Sequence, residues 1–269
     1  MTEINVLTYN VCWECMKGYS KSGSARLYGD KCSKTKNING KNLCFRNISN
    51  LVSKKSKFDI IGLQEANLIL ANNILKLLGT NYKKIYSKSC KEYSIIIYNS
   101  LIFKKIGKKI HGYIEECGRP YLIQKFINLK SNNSLIFGNF HGPHLNKDWL
   151  LKYLNKSCKI IKDECDQVII VGDFNKVLKK SYKLSKKTVL EPLNFKYKTS
   201  LKKTDNYIIK RNKYYEPIDN IIISSNIKLI SGPETLNYKN NKLLPTDLNF
   251  NLSNMTSDHR PVAAQLLIK

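Results

Sequence analysis

Arginine is scarce in this chain. Five residues, Arg26, Arg46, Arg119, Arg211 and Arg260, stand among 46 cationic side chains, and the rest are lysine. Acids are also few, 20 in all, which leaves a formal net charge of +26. A cation of this size attracts phosphate polymers and anionic surfaces over long range. Abundant Lys, Asn and Ile is equally the composition that an AT-rich coding sequence produces, so charge alone names no partner. No run of about eighteen apolar residues is present to cross a membrane as a helix. The opening "MTEINVLTYNV" has no basic head, apolar middle or small-residue cleavage site, and this predicts an intracellular protein, cytoplasmic or nuclear. With no internal repeat and no Pro- or Ser-rich tract, one domain over 1–269 is expected, with a surface insert at 13–42. The eight cysteines are scattered through a chain of ordinary size, and reduced thiols are expected. Of Cys12, Cys15, Cys32 and Cys44, only the first pair has the spacing of zinc ligands.

Periodicity supplies the elements. "INVLTYNV" alternates and is rich in β-branched residues, so Ile4 to Val11 reads as a strand. Helical spacing through Ile48, Leu51 and Val52 predicts a helix over 45–55, and "NLILANNILKLLG" an amphipathic helix closed by Gly79. "FDIIGLQEA", "YSIIIYNS", "PYLIQKFINL", "SLIFGNFHG", "QVIIVGDFN", "PIDNIIIS" and "RPVAAQLLI" read as strands, and a further helix is expected from Asp148. Strands outnumber helices without regular βα alternation. The pattern predicts two packed sheets with helices outside.

Polar residues recur where these strands end. Asn10 closes the first, Glu65 the next, His141 leaves "IFGNFH", Asp173 and Asn175 follow "VIIVG", Asp219 sits in "PIDN", and Asp258 with His259 precede the last. Such repetition argues for one convergent site, because a strand end holds a polar group rigidly. Carboxylates such as Glu65, Asp173 and Asp258 suit Mg²⁺, which takes a few acids plus water and substrate oxygens. Imidazoles can protonate or stabilise a phosphoryl oxygen, and amides can orient a phosphate or water. Together they describe metal-assisted phosphate ester hydrolysis.

The motifs "TYNV", "GLQEA", "GNFHGPH", "VGDFN", "PIDNIIIS" and "SDHRPV", in that order, resemble the endonuclease/exonuclease/phosphatase superfamily, and most closely its deoxyribonuclease I type. The resemblance implies an α+β, four-layer αββα sandwich and a Mg²⁺-dependent phosphodiesterase, with Mn²⁺ as a substitute, acting as a monomer on nucleic acid, DNA ahead of RNA. It implies Glu65 and Asp258 as metal ligands, with Asn10 contacting metal or phosphate. Asp173 would activate water, Asn175 and Arg119 would hold the phosphate, and His141 and His259 would act on it, with Glu92 and Asp219 as their acid partners. A carboxylate behind each imidazole fixes its tautomer and raises its basicity.

The same resemblance implies alternatives: a phosphatase or end-processing phosphodiesterase acting on RNA, a nucleotide end or a phosphoinositide, or a binding module without chemistry. After "GLQE" come Ala66 and Asn67, where a minor-groove-reading arginine is expected. "EPIDN" does not match the tryptophan- and cysteine-containing motif of phosphoinositide 5-phosphatases, although lysines can still meet an anionic membrane. The insert 13–42 and the basic stretch "KVLKKSYKLSKK", with Tyr182 interleaved, are expected to set substrate choice, the latter by tracking a polynucleotide backbone. Trp13 and Trp149 are expected to be packing aromatics, and His144 a surface residue.

Overall fold

The computed structural model describes residues 1–12, 43–54, 58–89, 92–114, 118–144, 149–150, 153, 167–178, 180–183, 188–193, 218–235, 257, 259 and 261–269. The first chain segment forms strand β1, Thr2–Asn10, followed by helix α1, Leu43–Lys54, and strand β2, Ile60–Ala66. Helix α2, Leu68–Leu78, is opened by Asn67, whose side chain accepts the Leu70 N–H at 2.8 Å, and closed by Gly79, whose N–H returns to the Leu75 carbonyl. Asn67 therefore has a capping task where the resemblance placed a DNA-reading side chain.

The strands that follow among the described residues are β3, Tyr82–Lys88; β4, Tyr93–Asn99; β5, Phe103–Ile114; β6, Arg119–Asn128; β7, Ser134–His141; β8, Gln167–Asp173; β9, Tyr182–Lys183; β10, Val189–Pro192; β11, Asp219–Ser224; β12, Lys228–Thr235; and β13, Val262–Ile268. They form two mixed sheets, one ordered β12-β13-β1-β2-β4-β3 and the other β5-β6-β7-β8-β11-β10-β9.

Alternation along β8 shows how the layers are built. Ile169 and Val171 enter the core between the sheets beside Val6, Ile60, Ile96, Phe137 and Ile221. Val168 and Ile170 enter a second core on the far face, with Phe140, Trp149, Leu150 and Ile222. Both faces of the strand are buried, which is why its sequence is a continuous aliphatic run rather than an alternation. Each such side chain contributes roughly 1.5–3 kcal/mol when fully buried. A third core joins the outer face of the first sheet to α1 and α2 through Leu7, Leu63, Ile95, Ile48, Leu70 and Ile74. Helices, two sheets and an outer cover that includes helical Trp149, Leu150 and Tyr153 make the expected four layers.

Several expectations need correction. Cys12 and Cys44 are each disulfide-bonded and buried, so these two are not the reduced thiols the sequence predicts. Oxidised cysteines are ordinarily found outside reducing compartments, which pulls against the intracellular expectation; no helix among the described residues is long and apolar enough to cross a membrane. Tyr182 is 3 % exposed and packs in the outer core, so it offers no stacking surface. Strands β3, β5, β9, β10 and β12 were not expected at all. The insert 13–42, Asp258, Arg260, Lys179 and most of the helix expected from Asp148 lie outside the described residues.

Candidate active site

Asn10, Glu65, His141, Asp173 and Asp219 sit at strand ends on the same rim of the sandwich because β1 and β2 run parallel, as do β7 and β8, while β11 returns antiparallel. The register pairs His141 with Asp173 and Asp173 with Asp219 across the second sheet. Gly172 precedes Asp173 at a point where any Cβ would collide with the Phe140 carbonyl oxygen. Only glycine lets β8 approach β7 this closely just before the carboxylate is delivered.

Backbone strain marks the same rim. Cys12, Glu65 and Asn175 adopt left-handed conformations, with φ of 44°, 46° and 50°. Such φ values are uncommon away from glycine and persist where the surroundings fix them. At Glu65 a bulge between Leu63 and Ala66 breaks the pairing with β4, and the Val11 N–H binds the Gln64 carbonyl at 3.0 Å. At Asn175 the N–H donates to Asp173 Oδ1 at 2.8 Å and the side-chain amide to the Gly142 carbonyl at 2.7 Å.

Beneath the site the sheets are tied by polar side chains. Gln64 Nε2 donates to Asn139 Oδ1 at 2.5 Å and to Thr8 Oγ1 at 3.0 Å. Asn139 Nδ2 donates to the carbonyls of Leu63 and Ile95 at 2.9 and 3.0 Å. All three side chains are fully buried, and although Gln64 Oε1 makes no hydrogen bond, a buried polar bridge of this kind favours one arrangement of the layers it joins. Sequence reasoning passed over this bridge, because nothing in a single strand shows that an amide will face a partner in the other sheet.

Two imidazoles converge on one carboxylate. His141 Nδ1 lies 2.8 Å from Glu92 Oε1, and its Nε2 lies 3.6 Å from Asp173 Oδ2 and 3.4 Å from Glu65 Oε1. His259 Nδ1 lies 2.8 Å from Asp219 Oδ2, and its Nε2 is 3.7 Å from the same Asp173 oxygen. Asn10 Nδ2 donates to Asp173 Oδ2 at 2.9 Å and to Glu65 Oε1 at 3.1 Å, while its Oδ1 accepts the Cys12 N–H. Ser257 Oγ donates to the Asn10 carbonyl and accepts the His259 N–H, joining the last segment to the first strand.

Charge is tuned by this packing. Burial alone pushes Asp173 upward, but His259, His141, the Asn10 amide and Arg119 hold its carboxyl below the usual range. Asp219 has the opposite outcome: burial, opposed by His259 and reinforced by Asp173, pushes it up to about 7. Arg119 places Nη1 3.7 Å from Glu65 Oε1. Its Nη2 donates to His144 Nε2 at 2.8 Å, so His144, exposed as expected, stands on the surface at the rim of the site. Its position in "GPH", three residues beyond His141, is the signal that would have found it.

Among the described residues, two groups of side chains could hold a cation: Glu65, His141 and Asp173, and Asp173, Asp219 and His259, the ligand atoms of each lying within 4.8 Å of one another. The buried His141 Nε2 makes no hydrogen bond. The carboxylate oxygens of Glu65 and Asp173 fit a hard divalent ion with phosphate oxygens and water completing its shell, which leaves His141 Nε2 to meet a phosphoryl oxygen. The sequence-predicted residues Asn10, Glu65, Glu92, Arg119, His141, Asp173, Asn175, Asp219 and His259 are thus brought together; Asp258 lies outside the described residues.

No protein-family model and no curated protein sequence matches the chain. Solved structures do match it along its length. An endonuclease/exonuclease/phosphatase from Bacteroides vulgatus is 16 % identical with a TM-score of 0.66 over 100 % of both chains. The chain has the endonuclease/exonuclease/phosphatase fold. A Bacteroides thetaiotaomicron mannosyl-6-phosphatase with this fold is 19 % identical, TM-score 0.66, covering 98 % of this chain and all of its own. D. rerio TDP2, complexed with a single-strand DNA product, is 12 % identical with a TM-score of 0.63 over 99 % and 100 % of the two chains. The endonuclease/exonuclease/phosphatase fold thus hosts different substrates, and the choice rests on side chains.

Proposed function

We propose that this chain is a Mg²⁺-dependent phosphodiesterase that hydrolyses nucleic acid, DNA ahead of RNA. One observation carries the reading: Asp173 Oδ2 lies 3.6 and 3.7 Å from the Nε2 atoms of two imidazoles, each backed by a carboxylate at 2.8 Å. Structural ion pairs have no need of two such dyads facing one acid.

In the proposed reaction Asp173, kept ionised by its neighbours, orients a water and accepts its proton as the water oxygen bonds to phosphorus. His259 and His141 donate hydrogen bonds to the phosphoryl oxygens as charge builds on them. His259, whose tautomer Asp219 fixes, gives a proton to the departing oxygen when its bond to phosphorus breaks. Asn175 and Arg119 hold the phosphate, and Asn10 keeps Asp173 and Glu65 in register. Glu65, with Asn10 and Asp258, would hold Mg²⁺ or Mn²⁺, which when bound supplies neutralising charge at phosphoryl oxygens.

The +26 charge and the single-strand DNA product bound to a protein of the same fold support a nucleic-acid substrate. The rival within the same site is a phosphatase or end-processing enzyme, which the similarity to a mannosyl-6-phosphatase supports. Mg²⁺-dependent cleavage of supercoiled plasmid, single-stranded DNA and RNA by wild type and Asp173→Ala, with EDTA controls, decides between them. Cleavage that vanishes in the variant is expected. If all three polymers stay intact while a small phosphodiester or a phosphoinositide is hydrolysed, the hydrolytic chemistry stands and the polymer assignment gives way to the rival within the same site. Hydrolysis of nothing leaves a binding module.

A further inference from the structure

Strands β3, β4 and β5 carry no aspartate or glutamate, yet β3 has three lysines and β5 has four. Both β3 and β5 are sheet edges, and lysine on an edge strand discourages pairing with another chain. That accounts for the charge but not for the aromatic rings among it. Tyr86 is 39 % exposed and Tyr113 50 % exposed on these same edges. A protective edge gains nothing from such rings.

Rings and cations alternate from the active site outward. Glu92, on His141, is followed directly by Tyr93, which pairs with Ala66 next to Glu65. Lys88 Nζ lies 6.0 Å from the Tyr93 ring centroid, Tyr86 packs against Tyr93 with centroids 5.9 Å apart, and Lys109 Nζ lies 5.3 Å from the Tyr86 centroid. Lys109 also donates to the Tyr86 carbonyl, and His111 Nδ1 lies 3.4 Å from Ser87 Oγ, so β5 is fastened to β3 along this seam. On β5, His111 and Tyr113 share a face, and the strand ends where Ile114 pairs with Arg119. Both sides of the seam therefore run into the catalytic rim.

We propose that the β3–β5 seam, with Tyr86, Tyr93, Tyr113, Lys88, Lys109 and His111, binds a single strand of nucleic acid leading into the active site. The proposal rests on the phosphodiesterase reading above and adds the form of the substrate. Unpaired bases offer faces to tyrosine rings, while ammonium groups meet the phosphates between them, and this combination binds single strands with little sequence preference. Exposed lysine–ring contacts are weak, so they give way to a base and a phosphate at little cost. A duplex keeps its bases stacked inside and cannot use the rings.

The test is fluorescence anisotropy of a labelled oligothymidylate and of a labelled duplex, in EDTA to prevent cleavage, across a salt series. Wild type is compared with Lys88→Glu/Lys109→Glu, Tyr86→Ser, Tyr86→Phe and, on the opposite edge of the first sheet, Lys228→Glu. Thermal melts confirm folding. The double charge reversal is expected to lower the salt slope for the single strand by about 1.4, from roughly 0.7 per lost phosphate contact. Tyr86→Ser should weaken single-strand binding about five-fold or more with the slope unchanged, Tyr86→Phe should retain it, and Lys228→Glu should match wild type. Equal losses for duplex and single strand, or for Lys228→Glu and the double variant, overturn the seam in favour of diffuse charge. Wild-type hydrolysis of bis(p-nitrophenyl) phosphate reports the chemical site separately. Its absence alongside seam-dependent binding rejects the enzyme and keeps the surface, and its presence without seam dependence does the reverse.

Discussion

His141 and His259 each hold a carboxylate oxygen 2.8 Å from Nδ1 and point Nε2 at the same oxygen of Asp173, yet the two acids sit in different media. The Glu92 side chain retains 15 % of its exposure, whereas Asp219 retains none. Solvent can share the charge of Glu92. Asp219 is closed off from solvent beside His259, and burial pushes it up to about 7. Burial therefore favours the protonated form of Asp219, and the buried acid and His259 titrate as a coupled pair rather than as two separate groups. In the proposed reaction the His141–Glu92 pair is a hydrogen-bonding arm held by its 2.8 Å contact. Geometry that looks duplicated thus divides into two tasks through solvation.

The largest effect should come from breaking both dyads at once. Asp173→Asn keeps the shape of the shared side chain but removes the charge that both imidazoles face. Mg²⁺-dependent turnover of a small phosphodiester should fall by at least about 10³-fold, in the range expected for loss of a positioned base. Turnover within about ten-fold of wild type would move water activation to another group.

Next, the dyads can be separated. Asp219→Asn should lower kcat by about 10²-fold and Glu92→Gln by about ten-fold, the span typical of residues that orient another group. Steady-state kinetics of the two variants side by side measure the difference. Equal losses would mean that exposure of the acid is irrelevant and that the arms are equivalent.

The same contrast is visible in stability. Asp219 is raised in the folded chain from 3.8 to about 7, so between those values the folded state binds more protons than the unfolded state. Its contribution is present below about pH 4 and is lost as pH rises toward 7. The melting temperature of wild type minus that of Asp219→Asn, in EDTA, should therefore fall across that window by several degrees. A flat Asp219→Asn difference would contradict the buried-proton account.

How much of this was readable in the chain depends on what each residue touches. Strands buried on both faces, such as β8, announced themselves because an aliphatic run has few alternatives. The acids, amides and imidazoles at their ends were legible by order. The edges β3 and β5 escaped because lysines interrupt their apolar pattern and tyrosines at partly exposed positions mimic loops. Tyr182 misled in the opposite direction: flanked by lysines in sequence, it turns into the outer core. Gln64 and Asn139 lie 75 residues apart, and only the stacking of the sheets makes them partners. The disulfide state of Cys12 and Cys44 likewise depends on positions in space that spacing did not show.

A third histidine extends the comparison, because its partner is a cation. His144 Nε2 accepts from Arg119 Nη2 at 2.8 Å, and burial, then Arg119, lowers its pKa against the opposing pull of Asp173. The imidazole is accordingly neutral at pH 7 and serves as an acceptor that aims the guanidinium. Here the smallest effect is expected: His144→Ala should raise KM about three- to ten-fold with kcat nearly unchanged, the size of one ordinary hydrogen bond at an exposed site. His144→Gln, which keeps an acceptor, should recover most of that. Protonation of His144 removes the acceptor and sets two cations together, so wild-type KM should rise as pH falls below the ordinary histidine range, while His144→Gln should be flat. A KM that instead drops on acidification would show the imidazolium binding phosphate itself, and would make His144 a partner of Arg119 rather than its guide.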